Sequence, residues 1–94
     1  MRNVIGDALG GGSTSKVLDF VIDLRRPYTQ KEVGERTNLS KPTIVRTFNN
    51  LMGMGMIKKS KRGYETNFES EAVMHLIRFD LSLTYYLAKK ERHQ

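Results

Sequence analysis

The chain has 94 residues, with 16 Lys and Arg against 10 Asp and Glu for a net charge of +6, and it has no cysteine. That length builds one domain with a modest core and little room for a separate catalytic module, and the missing thiols exclude disulfides, thiol catalysis and cysteine-held metals. The positive balance points to a polyanionic partner, most often nucleic acid.

No apolar run approaches the ~20 residues of a membrane span, and the N-terminus lacks a charged-then-apolar signal pattern. The expected location is cytoplasmic, associated with the nucleoid, with no membrane partner. Residues 1–12 end in Gly10-Gly11-Gly12, too costly in backbone entropy to sit inside an element. They are expected to form a flexible arm, with Val4, Ile5 and Leu9 able to make a short amphipathic turn. Residues 13–25 predict the first helix: Val17, Leu18, Val21, Ile22 and Leu24 recur at helical spacing. Ser13 or Ser15 is its expected cap. Arg25 and Arg26 suit the negative end of the helix dipole, and Pro27 stops the helix.

Thr29 and Glu32 have capping-box spacing and open a short helix over about 30–37. Thr37-Asn38-Leu39 is the expected turn, with Asn38 left-handed and Leu39 buried beneath. Ser40 then caps a helix over about 41–52, with Pro42 in its first turn. Ile44, Phe48 and Leu51 share its buried face, flanked by Val45 and Met52. The remaining positions are polar or basic, and the span from Arg36 to Tyr64 holds seven basic residues and no acidic one. A helix that reads DNA needs that division: an apolar side to seat it, and donors and acceptors to reach base edges. Ser40, Lys41, Thr43, Arg46, Thr47 and Asn50 are the expected contacts. Arg46 suits guanine, an asparagine suits adenine, and Ser40 and Thr43 suit phosphate.

Leu39-Ser40-Lys41-Pro42-Thr43-Ile44-Val45-Arg46, followed by Phe48, Leu51 and the Gly55-Met56-Ile57 corner, resembles the MarR-type winged-helix core. There a leucine-serine-lysine, threonine, hydrophobic helix start leads to a glycine-leucine-valine entry into the wing. The resemblance covers about residues 17–68 and implies a winged helix-turn-helix that binds DNA. The wing here is short and lacks the acidic-arginine tip signature, and the long N-terminal dimerisation helix is absent, so phenolic-ligand sensing is not carried over. The minimal architecture is closer to small winged-helix proteins of archaea and mobile elements, including PadR-like ones.

Strands are expected over 56–60 and 64–68 around a Lys61-Arg62-Gly63 turn, with Gly63 at positive φ. Lys59, Lys61 and Arg62 form a basic tip suited to phosphates or a minor groove. The 13–69 unit would then be the winged domain, and 70–94 a C-terminal dimerisation helix. In that helix Val73, Ile77, Leu81 and Ala88 form one stripe. Phe79, Leu83, Tyr86 and Leu87 lie on another side, more apolar surface than one small domain covers. They are the expected homodimer contacts.

His75 and His93 are 18 residues apart, and no glycine-rich phosphate loop or metal-ligand cluster is present. No enzyme, metal, cofactor or small-molecule ligand is expected. The expected class is mainly α with a small β-hairpin. The expected activity is sequence-specific duplex DNA binding as a homodimeric transcription regulator, most simply a repressor on an inverted repeat. The alternatives are a plasmid or chromosome partition protein that spreads on a centromere-like site, and a winged-helix protein-contact module.

Overall fold

A computed structural model of the chain describes residues 12–92. The glycine-ended arm, with Val4, Ile5 and Leu9, falls almost wholly outside that range, as does His93. In order the elements are α1 (Ser13–Val21), α2 (Gln30–Thr37), α3 (Lys41–Gly53), β1 (Ile57–Ser60), β2 (Gly63–Thr66) and α4 (Glu71–Arg92). The class is mainly α with a small antiparallel hairpin and a long C-terminal helix, as the sequence implied, an arrangement consistent with a winged helix.

The core lies where α1, α2, α3 and the hairpin meet. Val17, Val21, Val33, Phe48, Leu51 and Ile57 are buried there. Phe48 is the centre, its ring meeting Tyr28 edge-on at 6.2 Å and Tyr64 at 4.8 Å between centroids, the geometry that the aromatic quadrupole favours.

The first helix stops four residues earlier than the spacing implied, with Ile22 as its last cap. Tyr28 accounts for the early exit. Its backbone N–H donates to the Tyr64 carbonyl at 2.9 Å, and the Tyr64 N–H donates back at 2.7 Å. The chain must leave the helix and run extended to make that pair. The Tyr28 ring is then buried, and its hydroxyl lies 2.9 Å from Thr66 Oγ1. Thr66 donates its own proton to the Val21 carbonyl at 2.7 Å, so Tyr28 is the donor to Thr66. Burial holds the Tyr28 phenol above its ordinary pKa. Neither serine caps α1: Gly12 holds the N-cap position, with no side-chain bond.

The two arginines after α1 have separate roles. Arg25 donates to the Ile22 carbonyl at 3.1 Å, as expected of a helix-end cation, and its guanidinium lies 4.0 Å over the Phe68 ring. Arg26 forks onto Glu32 at 3.0 and 2.5 Å. That pair holds the Glu32 carboxyl below its ordinary pKa. Only half of the capping box forms: Thr29 Oγ1 accepts from the Glu32 N–H at 3.0 Å, while the Glu32 carboxylate turns to Arg26.

The hairpin pairs Ile57 with Thr66, Lys58 with Glu65, Lys59 with Tyr64 and Ser60 with Gly63. The strands are shorter than expected, although the Asn67 backbone N–H still donates to the Met56 carbonyl at 2.9 Å just beyond the last pair. The Asn67 side chain donates to the Gly55 carbonyl at 2.9 Å and accepts from the Glu69 N–H at 3.2 Å, tying the corner after α3 to the entry of α4. Ser70 caps α4, its hydroxyl 3.4 Å from the Val73 N–H.

Leu81 corrects the expected apolar stripe of α4. It is 63% exposed, not packed on the domain. Eight residues after Val73 is ~80° past a whole number of turns, so the line facing the core runs Val73, Ile77, Asp80. Asp80 is half-buried there, and desolvation together with the charge of Asp23 raises its carboxyl pKa. A carboxyl pKa raised by folding means that the folded state binds the proton more tightly. The penalty is fully present above the folded pKa and is relieved as pH falls through it. Asp80→Asn is therefore expected to raise the melting temperature at neutral pH, with the gain shrinking in acid. A gain independent of pH would rule out charge as its cause.

Candidate nucleic-acid interface

The helix-turn-helix is built from local signals. Asn38 takes the left-handed conformation at φ 58 and ψ 33, ending α2. Gly34 has Ile44 Cγ1 within 3.5 Å of where a Cβ would sit, so α2 and α3 approach closely. Leu39, half-buried, packs against the core. Ser40 holds the N-cap position of α3, but its side chain makes no bond to the helix backbone. Its hydroxyl lies 2.8 Å from Thr43 Oγ1 instead.

The face that α3 presents outward carries Lys41, Pro42, Arg46, Asn49 and Asn50, all exposed, with Thr43 and Val45 half-buried. Thr47 is a correction to the expected set. It is 2% exposed and belongs to the buried side. The reason is spacing: Thr47 stands three residues after Ile44 and four before Leu51, on the same stripe. A threonine there cannot reach a base edge. Asn49, which polarity alone did not single out, is on the exposed face.

In the hairpin, Lys59, Lys61 and Arg62 are exposed. The Arg62 N–H donates to Ser60 Oγ at 3.3 Å, and Gly63 closes the turn at φ +130. Lys58 stands across the ladder from Glu65. Among the described residues, no carboxylate pairs with Lys41, Arg46, Lys59, Lys61 or Arg62.

Two open depressions connect these parts. One, of about 740 Å³, runs between the start of α2, the start of α3 and the hairpin, and Lys31, Lys41, Leu39, Ile44, Gly63 and Tyr64 line it. Gln30 crosses its edge, its amide 3.1 Å from the Tyr64 hydroxyl. The other, of about 630 Å³, is lined by Lys41, Pro42, Val45, Arg46, Asn49 and Asn50. Lys41 borders both, so the hairpin and the outward face of α3 belong to one continuous surface. The groove beside the hairpin was not legible in the sequence, since its walls come from segments far apart in the chain.

The expected dimer contacts divide by exposure. Phe79 and Tyr86 are exposed, whereas Leu83 and Leu87 are half-buried. His75 is exposed on the same helix. Among the described residues no group of His, Cys, Asp or Glu is placed to hold a metal ion, and no helix is long and apolar enough to cross a membrane.

No family model matches the sequence, and neither does any curated protein sequence. Among solved structures, the fold is similar to the activation domain of the phage T4 transcription factor MotA, with a TM-score of 0.67 and 19% identity over 99% of this chain and 100% of that one. The likeness is one of fold, and it is to a phage transcription factor domain rather than to a MarR or PadR protein.

Proposed function

We propose that this protein is a sequence-specific duplex DNA-binding transcription regulator, with α3 in the major groove and the hairpin on adjacent backbone or minor groove. The observation that carries this reading is the set of exposed cations, Lys41, Arg46, Lys59, Lys61 and Arg62, on one continuous surface without carboxylate partners among the described residues. A solvated helix face ordinarily mixes signs. Unpaired cations beside neutral donors and acceptors suit phosphates and base edges.

The finer form of the proposal is a homodimeric repressor on an inverted repeat, a mode it would share with MarR- and PadR-type proteins. Tyr85 and Tyr86 are 71% and 60% exposed, and Phe79 lies one helical repeat before Tyr86. A second copy of α4 would cover these residues. Replacing Phe79 and Tyr86 together by Glu is expected to halve the mass seen by sedimentation while leaving the fold intact, since neither residue belongs to the core. A monomeric wild type would refute the dimer.

The test of DNA binding is selection of bound sites from random duplexes, with a footprint and a salt titration. Lys61→Ala with Arg62→Ala is expected to lower the slope of log affinity against log salt by about 2, close to one unit for each phosphate no longer neutralised. An unchanged slope would remove the hairpin from the interface.

A protein-contact module is the second reading, favoured by the fold neighbour's being an activation domain. It predicts no duplex retained at moderate salt. A partition protein would instead give footprints that spread as concentration rises.

A further inference from the structure

Val45 is the one apolar side chain on α3 whose position folding does not explain. It is half-exposed, and it is neither in the core nor packed against it, unlike Leu39 and Met52 on either side. A β-branched residue also lowers helix propensity. Yet it stands in the middle of the polar face, three residues after Pro42 and four before Asn49. With Arg46 and Asn50 these residues line the outer depression of α3. Together Pro42 and Val45 make a small apolar patch ringed by one guanidinium, one ammonium and two amides.

Base edges in the major groove offer one apolar group, the C5-methyl of thymine. Apart from the flat C5–H of cytosine, the other groups there are hydrogen-bond donors or acceptors, and an apolar patch facing them leaves them unpaired. Resting on the proposed DNA-binding role, we infer that Val45, with Pro42 beside it, is a specificity-determining residue that reads a thymine methyl. Asn49 and Arg46 then take the neighbouring adenine and guanine edges. Thr47 contributes nothing, since its side chain is turned inward. The half-site thus contains a thymine whose methyl contributes to affinity independently of its hydrogen bonds.

The test replaces thymine by deoxyuridine, which keeps every hydrogen-bonding atom and removes only the methyl. Sites are first selected with the wild-type protein from random duplexes. Each selected thymine is then changed singly to deoxyuridine, and affinity is measured for wild type and for Val45→Ala. At one half-site position the wild type is expected to lose about three- to fivefold, the scale of one buried methyl. Val45→Ala is expected to bind the thymine site that much more weakly and to be indifferent to the methyl. The substitution keeps the helix, because alanine is the stronger helix former and Val45 takes no part in the core. Equal affinity for thymine and deoxyuridine at every position, or a Val45→Ala protein still sensitive to the methyl, would overturn the inference while leaving DNA binding intact. Failure to retain any duplex would overturn both.

Discussion

Replacing Gly63 by alanine is expected to destabilise the protein by about 3 kcal/mol, a large share of the ~5–15 kcal/mol margin of a small domain. Two causes add. The backbone there has φ +130, where a side chain is strained in any surroundings. A Cβ would also lie 2.3 Å from the Tyr28 carbonyl oxygen, which is backbone and cannot swing aside. Relief requires the Tyr28 segment to withdraw. That strains or breaks both Tyr28–Tyr64 backbone bonds and the seat of a buried ring that packs against Phe48. At ~4–8 °C per kcal/mol for a domain of this size, the melting temperature should fall by about 12–24 °C. Gly55 is the control. Its φ of +71 is also positive, but no atom lies within 4 Å of an added Cβ, so Gly55→Ala should cost only about 1 kcal/mol. Equal losses at the two sites would mean that the Tyr28 contact is not what makes Gly63 necessary.

Arg46→Ala carries the largest expected effect on binding, about 2 kcal/mol, or roughly 30-fold, at the selected site. Arg46 is exposed near the middle of the outward face of α3, one turn from Pro42 and one from Asn50. No carboxylate among the described residues restrains it. A guanidinium so placed is suited to the two acceptors of a guanine. Loss of that pairing should relax selectivity at one base position while leaving most of the non-specific, salt-dependent binding. A change to Lys61 or Arg62 should do the reverse, weakening all sequences alike. If Arg46→Ala lowered specific and non-specific affinity equally, Arg46 would be a phosphate contact, and base reading would lie elsewhere on the helix.

The parts of the fold that the sequence foretold are those governed by neighbours in the chain. Asn38 turned left-handed, Pro42 in the first turn of α3 and the positive φ of Gly63 are each set by residues a few positions away, whereas the lack of room for a side chain at Gly63 comes from Tyr28. What it did not foretell depends on partners far along the chain. The Tyr28–Tyr64 pair joins distant segments, and it shortens α1, which periodicity alone would carry on to Arg25. The Arg26–Glu32 pair is only six residues apart, but its arginine lies outside the capping motif, and it diverted a carboxylate from the capping role. Thr47 and Leu81 are different, because their placement follows from helical spacing. Polarity drew the first toward the surface and apolarity drew the second toward the core, when the turn angle assigned each to the opposite side. In the candidate interface, Lys41, Arg46 and Asn50 are exposed as residue type implied, whereas Val45 and Asn49 stand out only once burial separates the outward face from the seated one.

The distal part of α4 has a thermodynamic consequence. Among the described residues, no apolar side chain beyond Ile77 belongs to the core or packs against it, although the helix continues to Arg92. About 15 residues of helix are marginal in water without tertiary support. Their amide protons should therefore exchange with solvent through local opening, far faster than those of Val73 or Phe48, whose release requires global unfolding. Whatever covers this half of the helix also supplies the free energy that closes it. The length of rigid helix is then a function of occupancy, and protection of those amides is a direct gauge of how much of the face is engaged.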